Sequence, residues 1–368
     1  MKIDIILPYK EIFSEQAASA VSLTVKNSME FSKFKKNISI YGQYTSKPFY
    51  LKQFVGIKTN RIFHFGNNLS IVKNYIKLFK LKNNNNLLIE IHNRPYLFNY
   101  LINSLPSMPI ILYYHNDPIT MKGSKLKKER EKILEKAAGI IFVSEYIKNQ
   151  FLKGISSSSS KIYVLPNGIK RNLNKMPKKN KQIMFVGRLV KEKGVHIFVK
   201  AIRELFNEFE DWEYCIIGTS KAGQKILRTN YEKEVINTFL KYGKKAKYFG
   251  FLANSKVKTI MNSSTILVVP SIWDDPFPLS ALEGLASGQV VIASERGGLP
   301  EMLKHTGILI KNINVENLKS TLKELMINEE KLLYYQNKVW KNFKYDQENI
   351  SKKQDLIREE ILSKFSYK

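Results

Sequence analysis

The sequence predicts an α/β protein made of two doubly wound parallel sheets, each with its own core. Three observations point there. Short apolar runs, many of them β-branched, alternate along the chain with segments of helical spacing, the pattern of βαβ units. The runs give way at once to polar clusters such as His92-Asn93-Arg94-Pro95, His115-Asn116-Asp117-Pro118 and Gly187-Arg188-Leu189. In an open parallel sheet such clusters line the crevice outside the strand carboxyl ends, where ligands bind. Finally, 368 residues are more than one hydrophobic core usually organises.

The first strand covers 2–7 and ends at Pro8. A helix is expected over 14–25, with Ser14 placed to cap it. Ala17, Ala18, Ser19 and Ala20 in that helix are small enough to let another group approach closely. Strands follow at 38–41 and 61–64, then a helix over 70–81 with Ser70 as its N-cap. Further strands are expected at 87–91, 109–114, 139–143 and 161–165. His115 stands at the carboxyl end of the 109–114 strand, hence on the crevice. His92 has the same setting one strand earlier, but Arg94 and Pro95 beside it read as a structural turn. The stretch 170–181, KRNLNKMPKKNK, is charged and contains a proline, the composition of an interdomain linker.

A strand over 182–186 opens the second half and runs into Gly187-Arg188-Leu189. Lys191, Lys193 and Gly194 follow, then a helix through Leu205. Strands at 213–217 and 247–249 flank a helix over 222–241, and the second of them leads to Gly250-Phe251-Leu252. The richest stretch is 265–301. Its apolar run 265–269 stops at Pro270, and a loop carries Asp274 and Asp275. Residues 279–286 have helical spacing, Gly288 closes the helix, and 289–293 is the next strand. Asp275 therefore lies on the binding edge, and Glu283 lies one turn into the helix that points at the same crevice. Glu301 begins or caps a helix after Gly298. Residues 315–327 form an amphipathic helix on Val315, Leu318, Leu322, Leu325 and Met326, and 329–364 reads as one or two helices.

These residues resemble the donor-binding signature of family 4 glycosyltransferases, which have the GT-B fold: two Rossmann-like domains facing a central cleft. Asp275, Pro276, Phe277, Pro278, Leu279, Glu283, Gly288, Gly297, Gly298, Pro300 and Glu301 match the family's E-P-F-G-L-x-x-x-E and G-G-x-P-E elements. Gly187, Arg188, Leu189, Lys193 and Gly194 match its G-R-L-x-x-x-K-G element. There are two departures. Asp275 replaces a Glu and shortens the reach by a methylene. Pro278 replaces a Gly whose N–H often faces the donor, and Pro has none to offer.

The resemblance implies an acceptor-binding domain over 1–175, a nucleotide-sugar-binding domain over 176–345, and a last helix within 346–368 that crosses back to the first. It implies a nucleotide-sugar donor, UDP-sugar favoured, with no metal or other cofactor. In that reading Arg188 and Lys193 hold the diphosphate, Glu283 the ribose and Asp275 the sugar hydroxyls. Gly187, Phe277, Pro278 and Leu279 line the donor site, and Phe251 and Leu252 lie near the base. His115 contacts the transferred sugar, and configuration is retained. The basic pair also makes sense by itself. A departing diphosphate gains negative charge, and cations fixed where charge develops lower the barrier. Arginine offers a rigid fork of donors and lysine a mobile point charge. No Asp-x-Asp triplet occurs to clamp a metal.

A formal net charge of +28 favours anionic partners: a nucleotide donor, an acidic glycolipid or an anionic membrane face. No nucleic-acid-binding motif accompanies it, so nucleic acid is not expected as a partner. The single cysteine, Cys215, excludes a disulfide framework and fits a reducing compartment. No signal peptide is visible, and no apolar run approaches the ~18 residues of a membrane span. The expectation is a cytoplasmic enzyme with peripheral contact at the inner face of the inner membrane. It would move a hexose or N-acetylhexosamine to a glycan or lipid-linked acceptor in lipopolysaccharide or surface-polysaccharide synthesis. Three other readings fit the same residues: a glycoside phosphorylase or nucleotide-sugar epimerase on this fold, a glycosidase using Asp275 and Glu283, and a non-enzymatic basic binding protein.

Overall fold

The computed structural model describes residues 1–15, 18–59, 66–81, 86–156, 159–171, 173–221, 223–224 and 226–366. The chain divides into two compact units, Met1–Gly168 with Gln347–Lys368, and Ile169–Asp346.

Among the described residues the first unit holds seven strands: β1 (Lys2–Ile6), β2 (Ile38–Gln43), β3 (Phe54–Ile57), β4 (Leu87–His92), β5 (Ile110–Tyr114), β6 (Gly139–Phe142) and β7 (Ile162–Val164). Their order is β3-β2-β1-β4-β5-β6-β7, and every pairing is parallel. The second unit holds six: β8 (Asn180–Val186), β9 (Glu213–Ile217), β10 (Ala246–Tyr248), β11 (Ser264–Val269), β12 (Val290–Ser294) and β13 (Ile308–Ile310). They run β10-β9-β8-β11-β12-β13, again all parallel. Strands β4, β5, β11 and β12 are buried along their whole length, as helices on both faces of a parallel sheet require. Strand order reverses between β1 and β4 and between β8 and β11. Those are the topological switch points where such sheets bind ligands.

Several elements depart from expectation for local reasons. The first helix is Ala20–Phe31, and its N-cap is Ser19, whose Oγ accepts from Ser22 N while Ser22 Oγ closes the reciprocal bond; Ser14 is buried ahead of it. The second helix starts at Asn67, with Gly66 at its N-cap. Ser70 therefore sits inside its first turn. The strand expected at 61–64 falls outside the described residues, and β3 lies earlier, at Phe54–Ile57. The helix expected over 222–241 is Asn230–Leu240, begun by a Thr229–Glu232 capping box. Helices Leu279–Ala286 and Val315–Ile327 are as read, and the tail forms two helices, Glu329–Lys341 and Gln347–Ser366. No helix among the described residues is long and apolar enough to cross a membrane.

In the stretch 170–181, read as an interdomain linker, Arg171 and Lys179 are packed against the second unit. Arg171 stacks over Trp340, 3.9 Å from the ring centre. Lys179 Nζ donates to the carbonyls of Asn262 (2.9 Å) and Ser287 (2.7 Å), which lie at the carboxyl ends of two helices where a cation is favoured.

The last helix belongs to the first unit. Ile350 and Ile361 join Leu88, Ile111, Tyr113 and Ile141 in one apolar cluster. Beside that cluster Arg358 makes a bidentate pair with Glu90, Nε–Oε1 2.7 Å and Nη2–Oε2 2.8 Å. Its Nη1 donates to Asp355 at 2.9 Å. All three side chains are buried, so each charge depends on the others for its solvation.

Candidate active site

In the second unit the candidate residues gather at the switch point. Gly187 and Leu189 leave β8 with their N–H groups bonded to Ile217 O and Thr219 O, both at 3.1 Å. A single 3₁₀ turn, Lys191–Lys193, then enters the helix Val195–Glu208 through Gly194. Gly194 has φ +70, and a Cβ there would lie 1.8 Å from Pro270 O. Only glycine lets the turn sit this close to the end of β11. The helix has no side-chain N-cap; Ile197 N and Phe198 N turn back to Gly194 O, and the positive dipole end behind the turn is a favourable place for an anion.

The loop after β11 closes onto that turn. Ile272 N donates to Glu192 O at 2.9 Å. Lys193 Nζ forms an ion pair with the buried Asp275 and lies 5.5 Å from the centre of the Trp273 ring. Gly297, at φ +58, would place a Cβ 2.3 Å from Asp275 O, and Gly298 N donates to Asp275 O at 2.8 Å. The two glycines of the G-G-L-P-E element thus clamp the backbone that carries the acid. Arg188 is exposed and takes no part in the ion pairs of the described residues. One of the two cations is paired with an acid, and the other is open to solvent.

Glu283 sits half-buried in the helix Leu279–Ala286. Burial pushes its pKa up; a hydrogen bond from Asn254 Nδ2 (2.9 Å) and the charge of Lys258 oppose that rise. Asn254 begins a helix, Asn254–Ser263, for which the sequence offered no expectation. Phe251 is 40% exposed just after Gly250, whose carbonyl accepts from Gly218 N at 2.8 Å; Leu252 is half-buried. Phe277 is buried, its ring 5.6 Å from that of Tyr345 and nearly perpendicular to it. Pro278 is the buried N-cap of the helix, and Leu279 is its first residue.

His115 lies in the first unit, past the end of β5. It is not a lone histidine. Its Nε2 is 2.8 Å from His92 Nδ1, and burial pushes its pKa down to about 4. The structural turn read beside His92 is present, with Arg94 in it and Pro95 opening the next helix. His92 is the last residue of β4 and is buried. The turn is formed by Asn93 and Arg94, both left-handed at φ +56 and +57. The pair had a sequence signal in the two strand-end histidines, but adjacency of β4 and β5 was needed to join them.

Two doubly wound parallel-sheet domains, the second with a basic turn and acids at its switch point, define the GT-B class. Residues 168–341 match the family model of the group 1 glycosyl transferases, and residues 43–173 match that of glycosyltransferase family 4. The chain belongs to this family. It is 31% identical to an uncharacterized glycosyltransferase of Methanocaldococcus jannaschii over 62% of this chain and 62% of that one. It is 21% identical to the lipopolysaccharide 1,2-N-acetylglucosaminetransferase of Salmonella typhimurium over 58% of this chain and 56% of that one. Each match therefore spans about three-fifths of the curated relative's length. Among solved structures, Anabaena HepE in complex with UDP and glucose superposes with a TM-score of 0.76 at 17% identity, covering 98% of this chain and 99% of that one.

Proposed function

We propose that the chain transfers a hexose or N-acetylhexosamine, with retention of configuration, from a nucleotide-diphosphate sugar to a glycan or lipid-linked acceptor of a bacterial surface polysaccharide or lipopolysaccharide. The observation that carries the reading is the turn 187–194, with Arg188 open to solvent, Lys193 held against Asp275 and an uncapped helix behind both. A diphosphate placed there meets a guanidinium fork, an ammonium and the positive dipole end of the helix. As the glycosidic bond breaks, these groups take up the leaving-group charge without a metal. Lys193 can turn from Asp275 to the diphosphate, which frees the carboxylate to accept from sugar hydroxyls. Glu283, a carboxylate in a half-buried setting, suits neutral vicinal hydroxyls of the ribose better than a phosphate. UDP is the favoured nucleotide, in keeping with the UDP bound to HepE. The Salmonella relative's name supports a lipopolysaccharide-type acceptor, and the charge of +28 supports contact with the anionic inner face of a membrane.

Two measurements test this. In a thermal-shift panel of nucleotide sugars, the donor should raise the melting temperature, because it binds only the folded state. Turnover of that donor should then be slow until an acceptor is added, and NMR of the product should show the donor's anomeric configuration. Fast acceptor-independent turnover would point to a phosphorylase or epimerase, and no stabilisation by any nucleotide sugar would sink the transferase reading. Binding to anionic vesicles should fall steeply with salt; salt-insensitive binding, or none at low salt, removes the membrane contact.

A further inference from the structure

The ends of β4 and β5 bring three aromatic rings into a layer. Tyr113 stacks on His92 with centroids 4.5 Å apart and planes at 7°. His92 and His115 lie 5.1 Å apart at 16°. The main chain at this point is fixed: His115 N donates to Asn93 Oδ1 at 2.9 Å, and Asn93 N donates to Tyr113 O at 2.7 Å. Tyr113 OH in turn accepts from Gln354 Nε2 at 2.6 Å. His92 Nε2 is buried and has no hydrogen-bond partner among the described residues. His92, His115, Gln354 and Arg358 share a cavity of about 30 Å³.

We propose that His92 is a positioning residue, donating from Nδ1–H to His115 Nε2 and so fixing His115 as a hydrogen-bond donor through its own Nδ1. The proposal deepens the transferase reading above and rests on it for its kinetic consequence only. Two imidazole nitrogens 2.8 Å apart must share one proton. Facing lone pairs repel, and facing N–H groups clash. Burial keeps both rings neutral. His115 is pushed down to about 4, and His92 is pushed well below its ordinary value by burial first, then by His115 and Arg358. A neutral His92 has a single N–H. If it were on Nε2, a buried donor would have nothing to accept it among the described residues, a costly arrangement, and the nearby charge of Arg358 would disfavour it further. On Nδ1 the proton is used at once, and an unprotonated Nε2 is what the nearby positive charge of Arg358 favours. His115 then accepts at Nε2 and, being neutral, carries its own proton on Nδ1. A ring locked this way offers a sugar oxygen a donor and is too weakly basic near neutrality to remove a proton. His115 would orient the sugar, and His92 would orient His115.

The test begins with the unligated wild-type protein labelled with ¹⁵N only at histidine. Five imidazoles are present, and long-range ¹H–¹⁵N spectra report which nitrogen of each is protonated. The expected result is a protonated Nδ1 and an unprotonated Nε2 on both His92 and His115. A proton on His115 Nε2 overturns the proposal, whatever the protein's activity. His92→Phe keeps the stack and removes the donor, and His115 should lose its single pattern. His92→Asn places an amide N–H near the Nδ1 position and should restore it. Kinetically, His92→Phe should lower kcat about tenfold, the worth of one transition-state hydrogen bond, with the donor KM changed less than about twofold. His92→Asn should recover most of that loss. Equal losses in both variants with an unaltered His115 spectrum would make His92 merely structural. If no sugar transfer is found, the transferase reading fails while the spectra still decide the tautomer.

Discussion

Glu232 organises the loop that follows β9, and removing its charge should loosen that loop by an amount that can be worked out. The carboxylate is fully buried. It accepts from Ser220 N (2.5 Å), Arg228 N (3.1 Å), Thr229 N (2.9 Å), Thr229 Oγ1 (3.1 Å) and Gln224 Nε2 (3.3 Å). Burial alone would raise its pKa; the hydrogen bonds from Thr229, Ser220 and Arg228 outweigh burial and hold it down at about 2, against an ordinary value of 4.5. A shift of that size corresponds to roughly 3 kcal/mol in favour of the folded, ionised state, at about 1.4 kcal/mol per unit. The sign follows from linkage. A carboxylate whose folded pKa is depressed contributes stability that is present in full above 4.5. That stability is lost as pH falls from 4.5 towards 2. Glu232→Gln keeps the shape but turns an NH₂ towards at least one backbone N–H, which has no lone pair to accept it. At pH 7 the variant should be less stable by roughly 3 kcal/mol, read from urea unfolding of the second unit. The amides of Ser220, Arg228 and Thr229 should exchange faster. The gap between wild type and variant should narrow as pH is lowered through the window 4.5–2. A gap that stays constant with pH would refute the reasoning, since the loss would then owe nothing to the charge.

Other outcomes follow from the same geometry. Arg188→Ala and Lys193→Ala should each weaken nucleoside diphosphate binding by roughly 1.5–3 kcal/mol by calorimetry, and turnover should fall further because leaving-group charge peaks in the transition state; unchanged binding would remove the diphosphate from this turn. Glu283→Gln should weaken the ribonucleotide while scarcely touching a 2′,3′-dideoxy analogue, whereas equal losses would mean that Glu283 does not read the ribose. Arg358→Met leaves Glu90 and Asp355 buried without their cation and should destabilise the first unit by about 3–5 kcal/mol in urea unfolding. Adding Glu90→Gln should recover part of that loss, and purely additive effects would show that the pair is not coupled.

The sequence by itself determined the fold class, because burial on both faces writes a continuous apolar run into each central strand: 87–91, 109–114 and 265–269 are legible without any partner. It also exposed the basic turn and the Asp275–Glu283 spacing, since these are local patterns of glycine, cation and acid. Helix 279–286 was readable to the residue because Pro278 starts it and Gly288 ends it. Helix starts that depend on a cap were less legible. Ser14 and Ser70 look like caps, yet Ser19 and Gly66 hold those places, and only the packed chain selects among competing serines. The tertiary structure alone decided what lies far apart in sequence. It joined Lys193 to Asp275, Asn254 to Glu283, His92 to His115 and Arg358 to Glu90. Such pairs leave no periodic trace. Their energy is the attraction between two groups that offsets the cost of desolvating both, and that can be read only once the sheet order has brought the strand ends side by side.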